Sequence, residues 1–274
     1  MSNIFYYAKR ILDKILGYTL IHRYLSSGVF FSSSAKHRVN RDQHDQLVDL
    51  LFEETLSNRA MLPSVAAVFR VKNAEQFIAL SIQSIIPLVK EIIVVDNNSS
   101  DKTVEIVEGL GETFKNSVDI KVFSYKQVIA RAGQGYGHEV SQHPDRSIAK
   151  FYTHCFSKAS SEYVLKVDAH CIYSLNQIAR IQKVLSKGFD VIYFRGIEYL
   201  GKSLSVEPYL FKSTLDYEYK DTELYEVLQF NNKSLKRWFI FSPPFLHLKR
   251  IAYVKGTAAG ESGLTSLYGE NSKV

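Results

Sequence analysis

Three short apolar runs, each ending abruptly in polar side chains, constrain this chain more than any other feature. Tyr163 to Val167 runs into Asp168-Ala169-His170. Glu91-Ile92-Ile93-Val94-Val95 runs into Asp96-Asn97-Asn98-Ser99-Ser100-Asp101, and Ser64 to Phe69 into Arg70-Val71-Lys72-Asn73-Ala74-Glu75. Runs of this length rich in β-branched residues suit strands covered on both faces, as in a parallel sheet. The clusters that follow them are turn chemistry. Ser100 or Asp101 can cap a helix that begins near Lys102-Thr103-Val104, and Phe77, Leu80, Ile82 and Ile85 mark a helix after the first run. Strand, helix, strand, helix and strand therefore alternate. That order predicts an α/β fold whose ligands bind at the carboxyl edge of the sheet.

Asp168 and His170 stand two residues apart at such an edge. On an extended chain, side chains at i and i+2 point the same way. An oxygen and a nitrogen ligand then converge, which suits a divalent cation such as Mn2+ better than one that prefers oxygen alone. Two solvated polar residues at a strand end are the competing reading, and the triplet taken alone favours it.

The three segments together resemble inverting glycosyltransferases of family 2. Val68 to Glu75 is similar to that family's first strand and its asparagine-acid turn, and Val94 to Thr103 to its nucleotide-binding turn. Val167-Asp168-Ala169-His170-Cys171 resembles its metal motif, in a DxH form. The resemblance covers residues 63–195 and thins beyond them. It implies the GT-A fold, a Rossmann-like nucleotide-binding mixed sheet flanked by helices. It also implies transfer of a sugar from a nucleotide-diphosphate sugar, with inversion and with Mn2+ or Mg2+. The acceptor is expected to be a saccharide or lipid-linked glycan of bacterial capsule, exopolysaccharide or lipopolysaccharide assembly.

The resemblance further implies roles for single residues. Asp168 and His170 become metal ligands, and His247, after Pro243-Pro244, is the candidate third. Lys249 and Arg250 are placed to pair with phosphate oxygens. Asp96 and Asn97 are the expected base and ribose contacts, with Arg70 and Asn73 nearby; the commoner family pattern has two acids where this chain has Asp96-Asn97. The acceptor hydroxyl needs a general base. Glu226 is the candidate, with Asp221 and Glu223 as rivals; an acidic, solvated helix face is the other reading of that cluster. Gly133 to His138 reads as a flexible loop on the acceptor side, a lid. Two other classes stay open: a non-catalytic, membrane-associated assembly protein that has kept the fold, and a sugar nucleotidylyltransferase. The second lacks the glycine-rich loop expected directly after the first strand.

Composition bounds the rest. A chain of 274 residues with 46% hydrophobic and 23% charged residues can form one substantial domain with an appendage. The expected division is a helical extension over 1–60, a catalytic domain over 61–255 and a loose tail over 256–274. Two cysteines, Cys155 and Cys171, form no framework and suit a reducing compartment. No apolar run reaches the roughly 18–20 residues of a membrane span, and no signal peptide is visible. The expected location is therefore the cytoplasm, peripheral to the inner face of the membrane. Residues 1–41 hold seven Lys/Arg against one Asp, with Ile4, Ala8, Ile11 and Ile15 at helical spacing. A membrane-surface helix and a helix packed on the domain fit this pattern equally. Residues 232–256 hold six Lys/Arg and no acid. No recognition-helix, RNP or zinc-finger pattern accompanies the basic stretches, which argues against nucleic acid as a partner.

Overall fold

The computed structural model describes residues 50, 52–198 and 204–249. In chain order its elements are β1 (Val65–Val71), α1 (Ile78–Ile85), β2 (Glu91–Asp96), α2 (Thr103–Phe114), β3 (Asp119–Ser124) and α3 (Tyr136–Gln142). A 3-10 turn, Pro144–Arg146, leads to α4 (Ile148–Phe156), β4 (Tyr163–Val167), β5 (Cys171–Tyr173) and α5 (Leu175–Leu185). Then follow β6 (Val191–Phe194), β7 (Ile197–Glu198), β8 (Glu207–Lys212), β9 (Tyr217–Asp221), β10 (Glu226–Phe230), β11 (Arg237–Phe239) and β12 (Phe245–His247).

Among these, β2 has all six residues buried, as its unbroken apolar run requires. The main sheet has the order β11-β6-β8-β4-β1-β2-β3. Strands β3, β2, β1 and β4 run parallel, and β8 is antiparallel to both β4 and β6. Alternate residues of β1 feed two cores. Val65, Ala67 and Phe69 pack with Ile78, Ile82, Val107 and Ile178 from α1, α2 and α5. Val68 packs on the other face with Phe151, Phe156, Phe211 and Tyr219 from α4, β8 and β9. The expected α/β sheet with helices on both faces is thus present, and its parallel strands bring the polar clusters after β1, β2 and β4 to one edge.

Helix α4 opens with the Ser147 hydroxyl accepting from Lys150 N, and the apolar stretch after α5 breaks at Arg195-Gly196 into β6 and β7. Two expectations need correction. The acidic cluster is no helix face: β9 and β10 form a hairpin that pairs Glu226 with Asp221. Tyr217 and Tyr219 alternate with Glu218 and Lys220, which is strand periodicity. Nor is Gly133 to His138 a free loop. Gly135 sits at φ 85° ahead of α3, and Tyr136 is fully buried. Residues 52–59 are helical, and Phe52 and Leu56 pack against the main core. The amphipathic segment near the N-terminus, residues 199–203 and the tail beyond 249 lie outside the described residues. No helix among those described is long and apolar enough to cross a membrane.

Gly196 shows how tightly the end of β6 is packed. A Cβ there would run into the ring of Phe245, which is buried against Tyr173, Phe194 and Tyr209. Gly196→Ala is expected to destabilise the fold by about 1–3 kcal/mol, the usual cost of overpacking. A thermal melt checks this; an unchanged midpoint would mean that the ring has room to move.

Candidate active site

Pairing of β1 with β4 sets Phe69 beside Val167. Arg70 and Asp168 follow at the carboxyl ends of the two strands. Arg70 Nη2 donates to Asp168 Oδ1 and, at 3.4 Å, to the Val167 carbonyl. The guanidinium lies 4.3 Å from the Tyr152 ring centroid and 5.7 Å from that of Phe156. Only 3% of the Arg70 side chain is exposed, against 41% for Asp168. Burial opposes the Arg70 charge, but Tyr152 and Asp168 more than offset it and hold its pKa above the ordinary value. For Asp168, burial pushes upward while Arg70, His170, Lys166 and His247 pull the carboxyl well below the usual range. It is a carboxylate at neutral pH.

The partner histidines come together through a second sheet. Strand β12 lies between β5 and β7, with His247 opposite Cys171 on one side and Glu198 on the other. Leu248 N donates to His170 O at 2.8 Å and extends that register. The two Nε2 atoms of His170 and His247 are 2.6 Å apart, with the rings at 85°. Glu198 Oε1 lies 2.9 Å from His247 Nδ1. The contact is close but lies off the line of a hydrogen bond; with the proton on Nδ1, Nε2 turns its lone pair toward His170. Burial lowers the His170 pKa to about 4, with Asp168 opposing and His247 and Lys249 adding to the shift. The ring is neutral at physiological pH, the form that ligates metal.

Ligand atoms of Asp168, His170, Cys171 and His247 all lie within 4.8 Å of one another. Two imidazole nitrogens cannot face each other at such a distance without a proton or a cation between them. A carboxylate beside two imidazoles, one of them held from behind by Glu198, fits a divalent transition ion. Cys171 contributes differently. Burial raises its thiol pKa well above the ordinary value, and at 2% exposure it packs in the core.

Two cavities flank the Arg70–Asp168 pair. One, of about 350 Å³, is lined by Lys72, Asn73, Phe77, His170 and Lys249 as well as the pair. The other, of about 310 Å³, is lined by the pair with Asn97, Ile129 and Tyr152. Three of the expected nucleotide contacts, Asn73, Asp96 and Asn97, fasten the turns beneath these cavities. Asn73, at φ 51°, accepts from Ser100 N at 2.8 Å, and its own N–H donates to Ser99 Oγ at 2.8 Å. Asp96 is buried and accepts from Ser99 N at 3.2 Å. Asn97 Nδ2 donates to the carbonyls of Tyr125 and Gln127 at 2.9 and 2.7 Å. Lys249 is exposed on the first cavity. Arg250 lies outside the described residues.

The three candidate bases separate clearly. Asp221 accepts from Tyr136 Oη, from Ser147 Oγ at 2.5 Å and from Ala149 N at 3.0 Å, so its carboxylate ties α3, α4 and the hairpin together. Glu223 is exposed and gives its carbonyl to Gly137 N at 3.0 Å. Glu226 lines a cavity of about 530 Å³ with Lys166, Glu207, Tyr219 and Tyr225. Burial raises its pKa, against the pull of Lys166 and Arg70.

Sequence reasoning missed Glu198 and the Lys166–Glu207 ion pair at 2.6 Å. Nothing in the sequence marks Glu198. Lys166 did leave a signal: it is a charge inside an otherwise apolar strand, on the face that carries Asp168.

Comparison with curated proteins gives no match. Comparison with solved structures gives several. TarS from S. aureus (residues 1–349) is 16% identical at TM-score 0.47, covering 70% of this chain and 62% of that one. Glucosyl-3-phosphoglycerate synthase from Mycobacterium tuberculosis, solved with Mn2+, UDP and glucosyl-3-phosphoglycerate, is 22% identical at TM-score 0.34, covering 54% and 48%. The mannosyltransferase PcManGT from Pyrobaculum calidifontis, solved with GDP-Man and Mn2+, is 13% identical at TM-score 0.39, covering 61% and 56%. In each case the chain spans less than two thirds of the other protein. The sequence profile of glycosyl transferase family 2 matches residues 67–243, which takes in most of β1 and every element from α1 to β11. The chain belongs to glycosyl transferase family 2.

Proposed function

We propose that this protein moves a sugar from a nucleoside diphosphate sugar to a saccharide or lipid-linked acceptor, with inversion at the anomeric carbon and with a divalent metal. The observation that carries the reading is the convergence of Asp168, His170 and His247 at the carboxyl edge of a family 2 sheet, beside a cavity that also holds Lys249. Those three side chains would hold the metal, and a bound Mn2+ or Mg2+ offsets the charge that develops on the leaving diphosphate. Lys249 is placed to meet phosphate oxygens.

Glu226 is the base in this reading. The acceptor oxygen bonds to the anomeric carbon, the bond to the diphosphate oxygen breaks, and the acceptor proton passes to the Glu226 carboxylate. A pKa raised by burial makes that carboxylate a better proton acceptor than an exposed one. Bacterial surface polysaccharide is the setting that the motif resemblance supports. The basic, amphipathic stretch within residues 1–41 supports contact with an anionic membrane surface at the cytoplasmic face.

A panel of UDP- and GDP-sugars with Mn2+ tests the reading. At least one donor is expected to release its nucleotide slowly to water and faster with a saccharide acceptor, and a chelator is expected to stop both. If no donor is hydrolysed and neither UDP nor GDP with Mn2+ shifts the melting temperature, the protein is a scaffold that has kept the fold.

A further inference from the structure

Arg70 is the costliest residue near the site. A guanidinium with 3% of its side chain exposed has left water. Its Nε and Nη1 have no hydrogen-bond partner among the described residues. What holds it is Asp168 on one side and the rings of Tyr152 and Phe156 on the other. A buried ion pair of this kind is weak support for stability, because apolar residues of similar volume pack as well or better. Being so deeply buried, Arg70 acts through Asp168.

Its effect lies in the charge balance around the cation site. Asp168 and Glu198 bring two negative charges, and Arg70, Lys72 and Lys249 three positive ones. The surroundings are net positive by one. A divalent cation entering alone adds its full charge there, next to a carboxylate already shared with a guanidinium. A cation that enters with a diphosphate has that charge met by the nucleotide.

We infer that Arg70 is a positioning residue that, through its ion pair with Asp168, makes the site a poor holder of a divalent cation alone and couples cation binding to an anionic nucleotide. The inference rests on the proposed donor. Removing Arg70 has two opposing effects. Freeing the Asp168 carboxylate loses orientation, a factor of a few. Removing a positive charge in contact with a ligand of a doubly charged ion is worth about tenfold or more. The second wins, so the expected sign is tighter binding, which a merely structural role for Arg70 would not produce.

The test is titration of the full-length protein with Mn2+, following free Mn2+ by electron paramagnetic resonance, with and without UDP or GDP. The unaltered protein is expected to bind Mn2+ alone at least about tenfold more weakly than with one of the nucleotides. Arg70→Met is expected to bind Mn2+ alone about tenfold tighter and to lose most of the coupling, whereas Arg70→Lys keeps the charge and the coupling. Unchanged or weaker Mn2+ binding by Arg70→Met overturns the inference, as does loss of coupling in Arg70→Lys. Should Arg70→Met fail to fold, the unaltered protein decides: equal Mn2+ affinity with and without nucleotide refutes the idea. Failure of both UDP and GDP to bind, with or without Mn2+ and with or without Arg70, refutes the donor reading itself.

Discussion

Replacing Asp168 with Asn, or His170 or His247 with Ala, is expected to lower sugar transfer by about 10²-fold or more. The basis is the charge of the leaving diphosphate, whose offset by a bound cation is worth several kcal/mol, at 1.36 kcal/mol per tenfold in rate. His247 is the telling case, since it stands 77 residues from His170 and the two meet only through β12. Glu198→Gln keeps the ring in place but weakens the acceptor behind it, and is expected to cost about 10- to 100-fold in metal affinity. The readouts are nucleotide release at saturating donor and Mn2+ affinity. A His247→Ala protein that transfers at the normal rate would remove that residue from the site.

The second large effect belongs to the hairpin. Glu226→Gln keeps shape and hydrogen bonding but takes no proton, so transfer is expected to fall by about 10²-fold or more while donor binding survives. Because burial raises the Glu226 pKa, the acid limb of kcat/KM should fall off above the pH of an ordinary carboxylate, and the variant's residual rate should lose that limb. Stability moves the other way. A pKa raised on folding means that the folded state binds this proton more tightly. The group's contribution is then fully present below its unfolded pKa and is lost as pH rises through its folded value. Glu226→Gln should therefore melt higher than the unaltered protein at neutral pH, and the gap should close in acid. Asp221→Asn should behave oppositely, losing about 1–3 kcal/mol of stability through the hydrogen bonds it gives up and changing the rate little. Similar rate losses in the two variants would mean that hairpin geometry, and no single carboxylate, sets the rate.

Much of this was legible because parallel α/β sheets put their chemistry where apolar runs stop. β1, β2 and β4 could be read as strands from their β-branched residues, and Asp168 and His170 as edge residues from the end of the β4 run. The chain there turns, with Cys171 N donating to Asp168 O at 3.0 Å, and this turn rather than period-two spacing on an extended strand brings the two together. What escaped depended on partners far along the chain. Arg70 reads as a nucleotide contact beside a polar turn, yet its partner is 98 residues away and its surroundings are aromatic. Asp96 and Asn97 read as base and ribose ligands; they also close turns, through Ser99 N and the Tyr125 and Gln127 carbonyls, a duty set by partners the sequence does not mark. The hairpin was available from Tyr217-Glu218-Tyr219-Lys220. Its alternation went unread because the density of acids suggested a solvated helix.

Strand β12 has a consequence for how the protein is made. It is three residues long, and its pairing with β5 places His247 beside Cys171, Leu246 beside Ile172 and Phe245 beside Tyr173. Because side chains alternate, a slip of one residue would bring a leucine where the imidazole belongs. β12 is the last described strand to be made, and it docks between β7 and β5, the latter across more than seventy residues. A nascent chain that has delivered β4 and β5 therefore displays Asp168 and His170 without His247. The proposed ligand set is complete only after β12 has docked in the correct register, so the appearance of tight Mn2+ binding in the presence of nucleotide would time that docking.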